Sequence, residues 1–135
     1  MILINAIAQS VTAEILNFDP DANPAFSLCP DYDLATLRDR KIFVMPESKK
    51  EDLQTRTRVG DTVRIDIGFF EKLTAKGDAE ERMEYIEKMA FHFLGKNCAG
   101  AICSAIEFSP IYDVTMLRDR LIFASVIILT MEIIQ

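Results

Sequence analysis

The pattern of apolar and polar positions predicts two amphipathic helices. Residues 2–16 place apolar side chains at helical spacing on one face and polar side chains elsewhere. Residues 78–94 show the same periodicity, with Asp78 as the N-cap and Gly95 as the stop. The inward-facing positions of this second helix are Met83, Ile86, Ala90 and Phe93.

Four further segments have the character of strands. Residues 62–70 alternate between apolar and polar side chains, as a half-buried strand does. Residues 41–45, which precede Pro46, and residues 101–108 are shorter candidates, whereas residues 121–134 are apolar on both sides. A strand of that last kind is central in its sheet or covered by a neighbouring subunit. The order of elements predicts an α+β fold, with an antiparallel sheet of about four strands and two helices packed on one face.

Residues 47–61 interrupt this pattern because they are highly charged and contain little apolar material. We predict that they form a long loop at the tip of a hairpin made by the strands on either side. A loop of this length inside a compact domain is usually functional or mobile. Its cations oppose the acidic body of the chain and are candidate contacts to a neighbouring subunit or partner. They are Lys49, Lys50, Arg56 and Arg58.

The chain also contains two similar segments, residues 30–43 and residues 110–123. We predict the same turn-into-strand geometry for both, with a leucine anchoring each turn and an aspartate bonding nearby backbone N–H groups. The leucines are Leu37 and Leu117, and the aspartates are Asp33 and Asp113. Each segment carries an Arg-Asp-Arg triplet, which we interpret as interface or structural ion pairs rather than as catalytic groups. The triplets are Arg38, Asp39, Arg40 and Arg118, Asp119, Arg120.

Composition fits one folded domain over residues 1–135, since 50% of the residues are hydrophobic and 27% are charged. The net charge of −6 argues against a surface that binds nucleic acid by counterion release, although it suits a surface that DNA slides past. We expect no membrane association, because the apolar run at 121–134 is too short to span a bilayer.

No residue pattern points to catalysis. The three cysteines lack metal-site spacing and predict free, mostly buried thiols in a reducing compartment. We predict a structural role for His92, the only histidine, because no Ser or Cys motif accompanies it. Asp61, Asp66 and Glu71 would hold Mg²⁺ only if they converged. We therefore expect no catalytic residue, no cofactor and no metal.

Taken in order, these features resemble the tail terminator (tail-completion) proteins of long-tailed bacteriophages and prophages. The resemblance rests on the N-terminal helix, the Pro30–Leu34 turn, the strand ending at Pro46 and the charged loop with Arg56 and Arg58. It continues through the alternating strand at 64–68, the following helix, and Pro110-Ile111-Tyr112 before a final apolar strand.

The resemblance implies a homohexameric ring of small α+β subunits in the virion, at the junction of tail and neck, assembled in the host cytoplasm. Its partners would be further copies of the chain, the tail tube protein and the head–tail connector protein. DNA would pass through the lumen without specific binding. Two alternatives stay open: another neck or connector component, and a small cytosolic α+β ligand-binding domain or enzyme.

Overall fold

The computed structural model describes residues 4–29, 37, 39–55 and 58–133, and for residues 49–55 and 58–61 it describes the backbone alone. Three α-helices are present in this part of the chain. They are α1 (Ile4–Phe18), α2 (Ala79–Phe93), which a short 3-10 turn at Lys76–Asp78 precedes, and α3 (Val114–Arg120). None of these helices is long and apolar enough to span a membrane.

The described strands form a single sheet in the order β1-β2-β3-β6-β5-β4. The pairing of β1 with β2 is parallel, and every other pairing is antiparallel. The α+β prediction is thus confirmed, while the sheet has two more strands than expected, each of two residues. The strands are β1 (Ala25–Phe26), β2 (Lys41–Thr55), β3 (Arg58–Lys72), β4 (Asn97–Cys98), β5 (Ala101–Phe108) and β6 (Ile122–Ile133).

The main core lies between one face of the sheet and the two long helices. Helix α1 buries Ile7, Val11 and Ile15, which recur every four residues and so share one side of the helix. Helix α2 contributes Ile86 and Phe93 to the same cluster. The sheet supplies alternating positions of its two central strands, because successive side chains of a strand point to opposite faces. They are Val63, Ile65, Ile67 and Phe69 of β3, and Phe123, Ile127, Leu129 and Met131 of β6.

The second face of the sheet carries a smaller cluster, in which Leu37, Ile122 and Ala124 are buried. Met116 of α3 packs against this cluster, and Leu117 of the same helix packs against the main core. Strand β6 therefore has apolar partners on both faces, and it lies between β3 and β5 as its sequence predicts.

Strand β2 does not end at Pro46, in contrast to the sequence prediction. The strand runs on to Thr55, and the pairing with β3 shifts register between Pro46 and Ser48. Proline lacks an N–H donor and is tolerated on edge strands and at bulges. Both conditions hold here, because among the described strands β1 pairs only with Phe43 and Val44 and leaves this part of β2 at the sheet edge.

The prediction of a long loop at 47–61 is also wrong. These residues continue β2 and β3, which pair as far as Thr55 opposite Arg58, and the tip at 56–57 lies outside the described residues. Apolar alternation marks a strand only where one face is buried. A hairpin that leaves the body of the sheet has no such face, so its charged sequence gave no strand signal.

The second repeat forms helix α3 where a turn was expected. The Asp113 carboxylate accepts a hydrogen bond from the Met116 backbone N–H, 2.9 Å away, and caps the helix. This confirms the predicted role of Asp113, whereas Asp33 lies outside the described residues. At helix α2, Asp78 holds the N-cap position but makes no side-chain cap, since it accepts a hydrogen bond from the Thr74 hydroxyl.

The two repeats meet the sheet in opposite orientations. Ile42 lies opposite Phe69 of β3, and Ile122 lies opposite Lys72 of the same strand. This offset of three places is odd, so equivalent residues fall on opposite faces. Ile42 accordingly joins the main core and Ile122 the smaller cluster. The preceding turns cannot be matched residue by residue, because 30–36 and 38 are outside the description.

Candidate assembly surface and charged cluster

The β2–β3 hairpin extends past the body of the sheet. The last described pairing of β3 with β6 joins Asp61 to Ile133, yet β3 continues to pair with β2 back to Arg58. We call residues 52–55 and 58–60 the hairpin arm. Within the described residues the arm is hydrogen-bonded only to itself, which leaves its strands available to another chain.

Of the four predicted loop cations, three lie on described backbone. Lys49 pairs with Val63 and Lys50 with Thr62, at the root of the arm, and Arg58 begins β3. Arg56 lies outside the described residues. The structure therefore places Lys49 and Lys50 on a strand in the body of the sheet and Arg58 on the hairpin arm, rather than on a loop.

Both sides of the sheet present strand edges that no described strand covers. Strand β1 covers β2 only at Phe43 and Val44, so β2 is open from residue 46 onward. Strand β4 covers β5 only at Ala101 and Ile102, which leaves residues 105–108 open on the other side. Unpaired N–H and C=O groups along such edges can pair with a strand of another chain.

Arg40 of the first triplet is built into a charged network, the Glu71 cluster, and is not a free interface cation. Arg40 Nε donates to Glu71 Oε1 at 2.7 Å, and Arg82 Nε donates to Glu71 Oε2 at 2.6 Å. Glu71 is only 9% exposed, so its charge depends on these two guanidinium groups. The cluster consists of Asp19, Arg40, Glu71, Arg82 and Tyr85.

Aromatic rings complete the Glu71 cluster. The Arg40 guanidinium lies 4.5 Å from the centre of the Tyr85 ring, a cation–π distance, and the Tyr85 hydroxyl donates to Asp19 at 2.7 Å. Burial lowers the pKa of Arg40, but its hydrogen bond to Glu71 and the charge of that carboxylate outweigh burial and raise the pKa. Burial, followed by the bond to Asp19, raises the pKa of Tyr85. The cluster thus keeps Arg40 charged and the phenol neutral.

An open cleft of about 430 Å³ lies beside this cluster. Asp39 lines it together with Arg40, which accounts for two members of the first triplet, while Arg38 lies outside the described residues. The remaining lining residues are Asp21, Ala22, Asn23, Glu71 and Lys72. Charged groups of both signs thus surround a recess that is open to solvent.

The second triplet lies on α3 and has no such network. Arg118 Nε donates to Asp119 at 3.0 Å, and both side chains are more than half exposed. The backbone carbonyl of Arg120 accepts a hydrogen bond from Lys72 Nζ. Exposed pairs of this kind contribute little stability, so Arg118 and Asp119 are free to contact another molecule.

His92 lies between the two long helices. Its Nε2 is 3.4 Å from Glu14 Oε2, and its ring centre is 5.6 Å from that of Phe18. A hydrogen bond from Asn17 is the main cause of the lowered pKa of Glu14, and His92 adds to it. This setting fits the structural role predicted for the histidine.

The cysteines match the predicted free thiols in part. Cys98 and Cys103 are buried, whereas Cys29 is exposed. Burial raises the pKa of Cys103 to about 11, which keeps it a neutral thiol and a poor nucleophile at neutral pH.

The predicted acidic residues of β3 do not converge on a metal site. Asp66 and Glu71 are five positions apart on one strand, and an odd spacing puts them on opposite faces. Asp61 has no described side chain. Among the side chains that are described, no three His, Cys, Asp or Glu residues gather as metal ligands.

Sequence reasoning missed most of the Glu71 cluster. Asp19, Arg82 and Tyr85 come from helices and a turn far from Arg40 in the chain, and the sheet brings them together. No local motif marks such a set.

Comparison with protein-family models finds no matching family, and comparison with curated proteins finds no significant match.

Proposed function

We propose that this chain is the subunit of a homohexameric ring that caps a bacteriophage tail tube, ends tube polymerisation and joins the tail to the head–tail connector. The proposal starts from the resemblance to tail terminator proteins over nearly the whole sequence. Its location would be the virion, at the junction of tail and neck.

The hairpin arm is the observation that carries the proposal. A two-stranded ribbon that leaves the body of the sheet gains no stability from the subunit's own core, so a partner is the natural source of its order. The open edges of β2 and β5 lie at opposite sides of the same sheet. A chain with two different open edges can associate head to tail, and such an interface closes into a ring when its rotation fits.

The charge distribution supports the same function. Repeated around a ring, a net charge of −6 per chain makes a strongly negative assembly that DNA can pass without sticking. The cations at and near the arm, Lys49, Lys50 and Arg58, are opposite in charge to the acidic remainder of the chain. Complementary charge of this kind favours docking in one register.

Mass measurement in solution, with and without tail tube protein, tests the proposal. We expect rings of six copies on tube ends, seen by electron microscopy, and higher-mass species by light scattering when tubes are present. A protein that stays monomeric and leaves tube length unchanged would count against the tail terminator function.

The cleft beside the Glu71 cluster favours a second candidate, a small ligand-binding domain. The recess has a volume in the range of small-molecule sites, and charged groups line it. Its polar lining is the argument against it, because such sites are mostly apolar. Thermal-shift screening with small charged metabolites would support this candidate if one of them raised the unfolding temperature and Asp39→Ala removed the effect.

A further inference from the structure

A group of ionisable residues lies on the second face of the sheet, away from the Glu71 cluster. Arg64 of β3 reaches Glu47 of β2 at 3.6 Å and Glu107 of β5 at 3.2 Å. Asp66 is two residues further along β3, so it shares the face of Arg64. We call Glu47, Arg64, Asp66 and Glu107 the Asp66 cluster. It contains three carboxyl groups and one guanidinium.

A hydrogen bond with the Glu47 side chain is one of the causes that raise the pKa of Asp66, second to burial. Two ionised carboxylates are acceptors only, so a hydrogen bond between them requires a proton on one of them. Asp66 Oδ1 is buried and has no hydrogen-bond partner among the described residues. Arg64 does not remove this requirement, because its own bonds go to Glu47 and Glu107.

The backbone explains why the pair forms at this place. Asp66 lies opposite Met45 of β2, and the pairing resumes with Arg64 opposite Ser48. Glu47 falls in the register shift between Pro46 and Ser48, so it is the extra residue of a bulge. A bulge re-aims a side chain. Here it turns Glu47 toward Asp66, in the part of the hairpin where β3 still pairs with β6.

We propose that the buried Asp66 carboxyl carries a proton that it donates to Glu47 in weakly acidic solution and releases to solvent as the solution becomes basic, which loosens β2 from β3 at the bulge. The groups that face the pair are Arg64 from β3 and, through Arg64, Glu107 from β5. The facing residue of β6 is Ile128, which carries no charge. With all groups ionised the cluster has an excess of two negative charges, and the shared proton removes one.

The surroundings of Asp66 hold its carboxyl proton to a higher pH than an ordinary aspartate holds its own. Burial is the main cause that raises the pKa of Asp66 to about 7, and the hydrogen bond and charge of Glu47 add to it, while Arg64 opposes them. A carboxyl whose pKa is higher in the folded than in the unfolded chain favours folding when it is protonated. This stabilisation is complete below the ordinary Asp value of 3.8 and is lost as the pH rises through about 7.

Carbon-13 NMR of the Asp66 carboxyl group tests the proposal directly in the wild-type chain. We expect its titration midpoint near pH 7. We also expect the bulge amides at 47 and 48 to exchange faster above the midpoint, after correction for intrinsic exchange. A midpoint at the ordinary Asp value, about 4, would overturn the proposal.

Substitution gives an independent test. Asp66→Asn keeps a donor for Glu47 but has no proton to release, so its urea midpoint should lack the decrease that we expect for the wild type between about pH 4 and about pH 7. Asp119→Asn, on exposed α3, is the matched control and should retain the wild-type decrease. If Asp66→Asn retains it too, the pair does not set the pH response. Glu47→Gln should lower the Asp66 midpoint, and an unchanged midpoint would equally contradict the shared proton.

Discussion

At the scale of single residues, Glu71 is the charge on which most of the charged network depends. It accepts from Arg40 and Arg82, and through Arg40 it is linked to Asp19, whose Oδ2 is 3.9 Å from that guanidinium. These contacts join β3 and helix α2 to the residue that precedes β2 and the residue that follows α1. A buried carboxylate held in this way stabilises one arrangement of its elements, because each partner would be left uncompensated without it.

Replacement of Glu71 by Gln should therefore destabilise the fold. Loss of one partner of a fully buried ion pair costs roughly 3–5 kcal/mol, and we expect about 2 kcal/mol here because both arginines reach solvent. Urea unfolding at neutral pH measures the change. Glu81→Gln is the control, since Glu81 contacts the same Arg82 but is 77% exposed, and it should cost less than about 0.5 kcal/mol. Equal losses in the two variants would show that Glu71 has no special role.

At the scale of elements, helix α3 shows how one sequence motif acquires two environments. Its N-cap is Asp113, and Leu121 ends it in the left-handed conformation with φ 55°. The second repeat thus places Arg118 and Asp119 on an exposed helix, while the first repeat carries Arg40 into the Glu71 cluster. The two repeats pair with β3 in different register, so the same Arg-Asp-Arg sequence makes different contacts in each repeat.

Removal of the α3 cap should have a local cost. Asp113→Ala leaves the Met116 N–H without its acceptor, and loss of such a cap typically costs about 1 kcal/mol. Hydrogen exchange should show faster exchange in the first turn of α3, with smaller changes in α1. Asp119→Ala removes an aspartate from the same helix at an exposed position and should leave exchange nearly unchanged. Protection of α3 that survives Asp113→Ala would mean that packing alone holds the helix.

The elements that the sequence predicted are those with a buried face. Helices α1 and α2, the alternating core of β3 and the doubly apolar β6 follow from periodicity, because burial imposes it. The sequence of the arm shows no such periodicity, because its strands pair through backbone groups, which every residue has. The Glu71 cluster and the Asp66 cluster were also missed. The members of the first meet through the packing of α1 and α2 on the sheet, and those of the second through the register of β2, β3 and β5.

At the scale of the whole molecule, the sheet combines a sealed face with exposed edges. Helices α1 and α2 cover the main core, whereas β2 from residue 46 and β5 from residue 105 have no described strand beside them. Isolated domains usually protect such edges against pairing with other chains. In a ring, each subunit can pair these edges with its neighbours. Edges that would promote unwanted association of a monomer therefore fit the proposed assembly.

Charge reversal in the hairpin separates folding from assembly. Arg56→Glu combined with Arg58→Glu should leave the subunit folded, because the arm pairs only with itself within the described residues and surface changes usually alter stability by about 0.5 kcal/mol or less. If the hairpin docks through Arg56 and Arg58, the double variant should assemble poorly, giving overlong or headless tails by electron microscopy. Lys76→Glu combined with Lys88→Glu changes the net charge equally at exposed sites outside the arm and should give normal tails. Overlong tails from both variants would make net charge the cause, and normal tails from the arm variant would remove the arm from the interface.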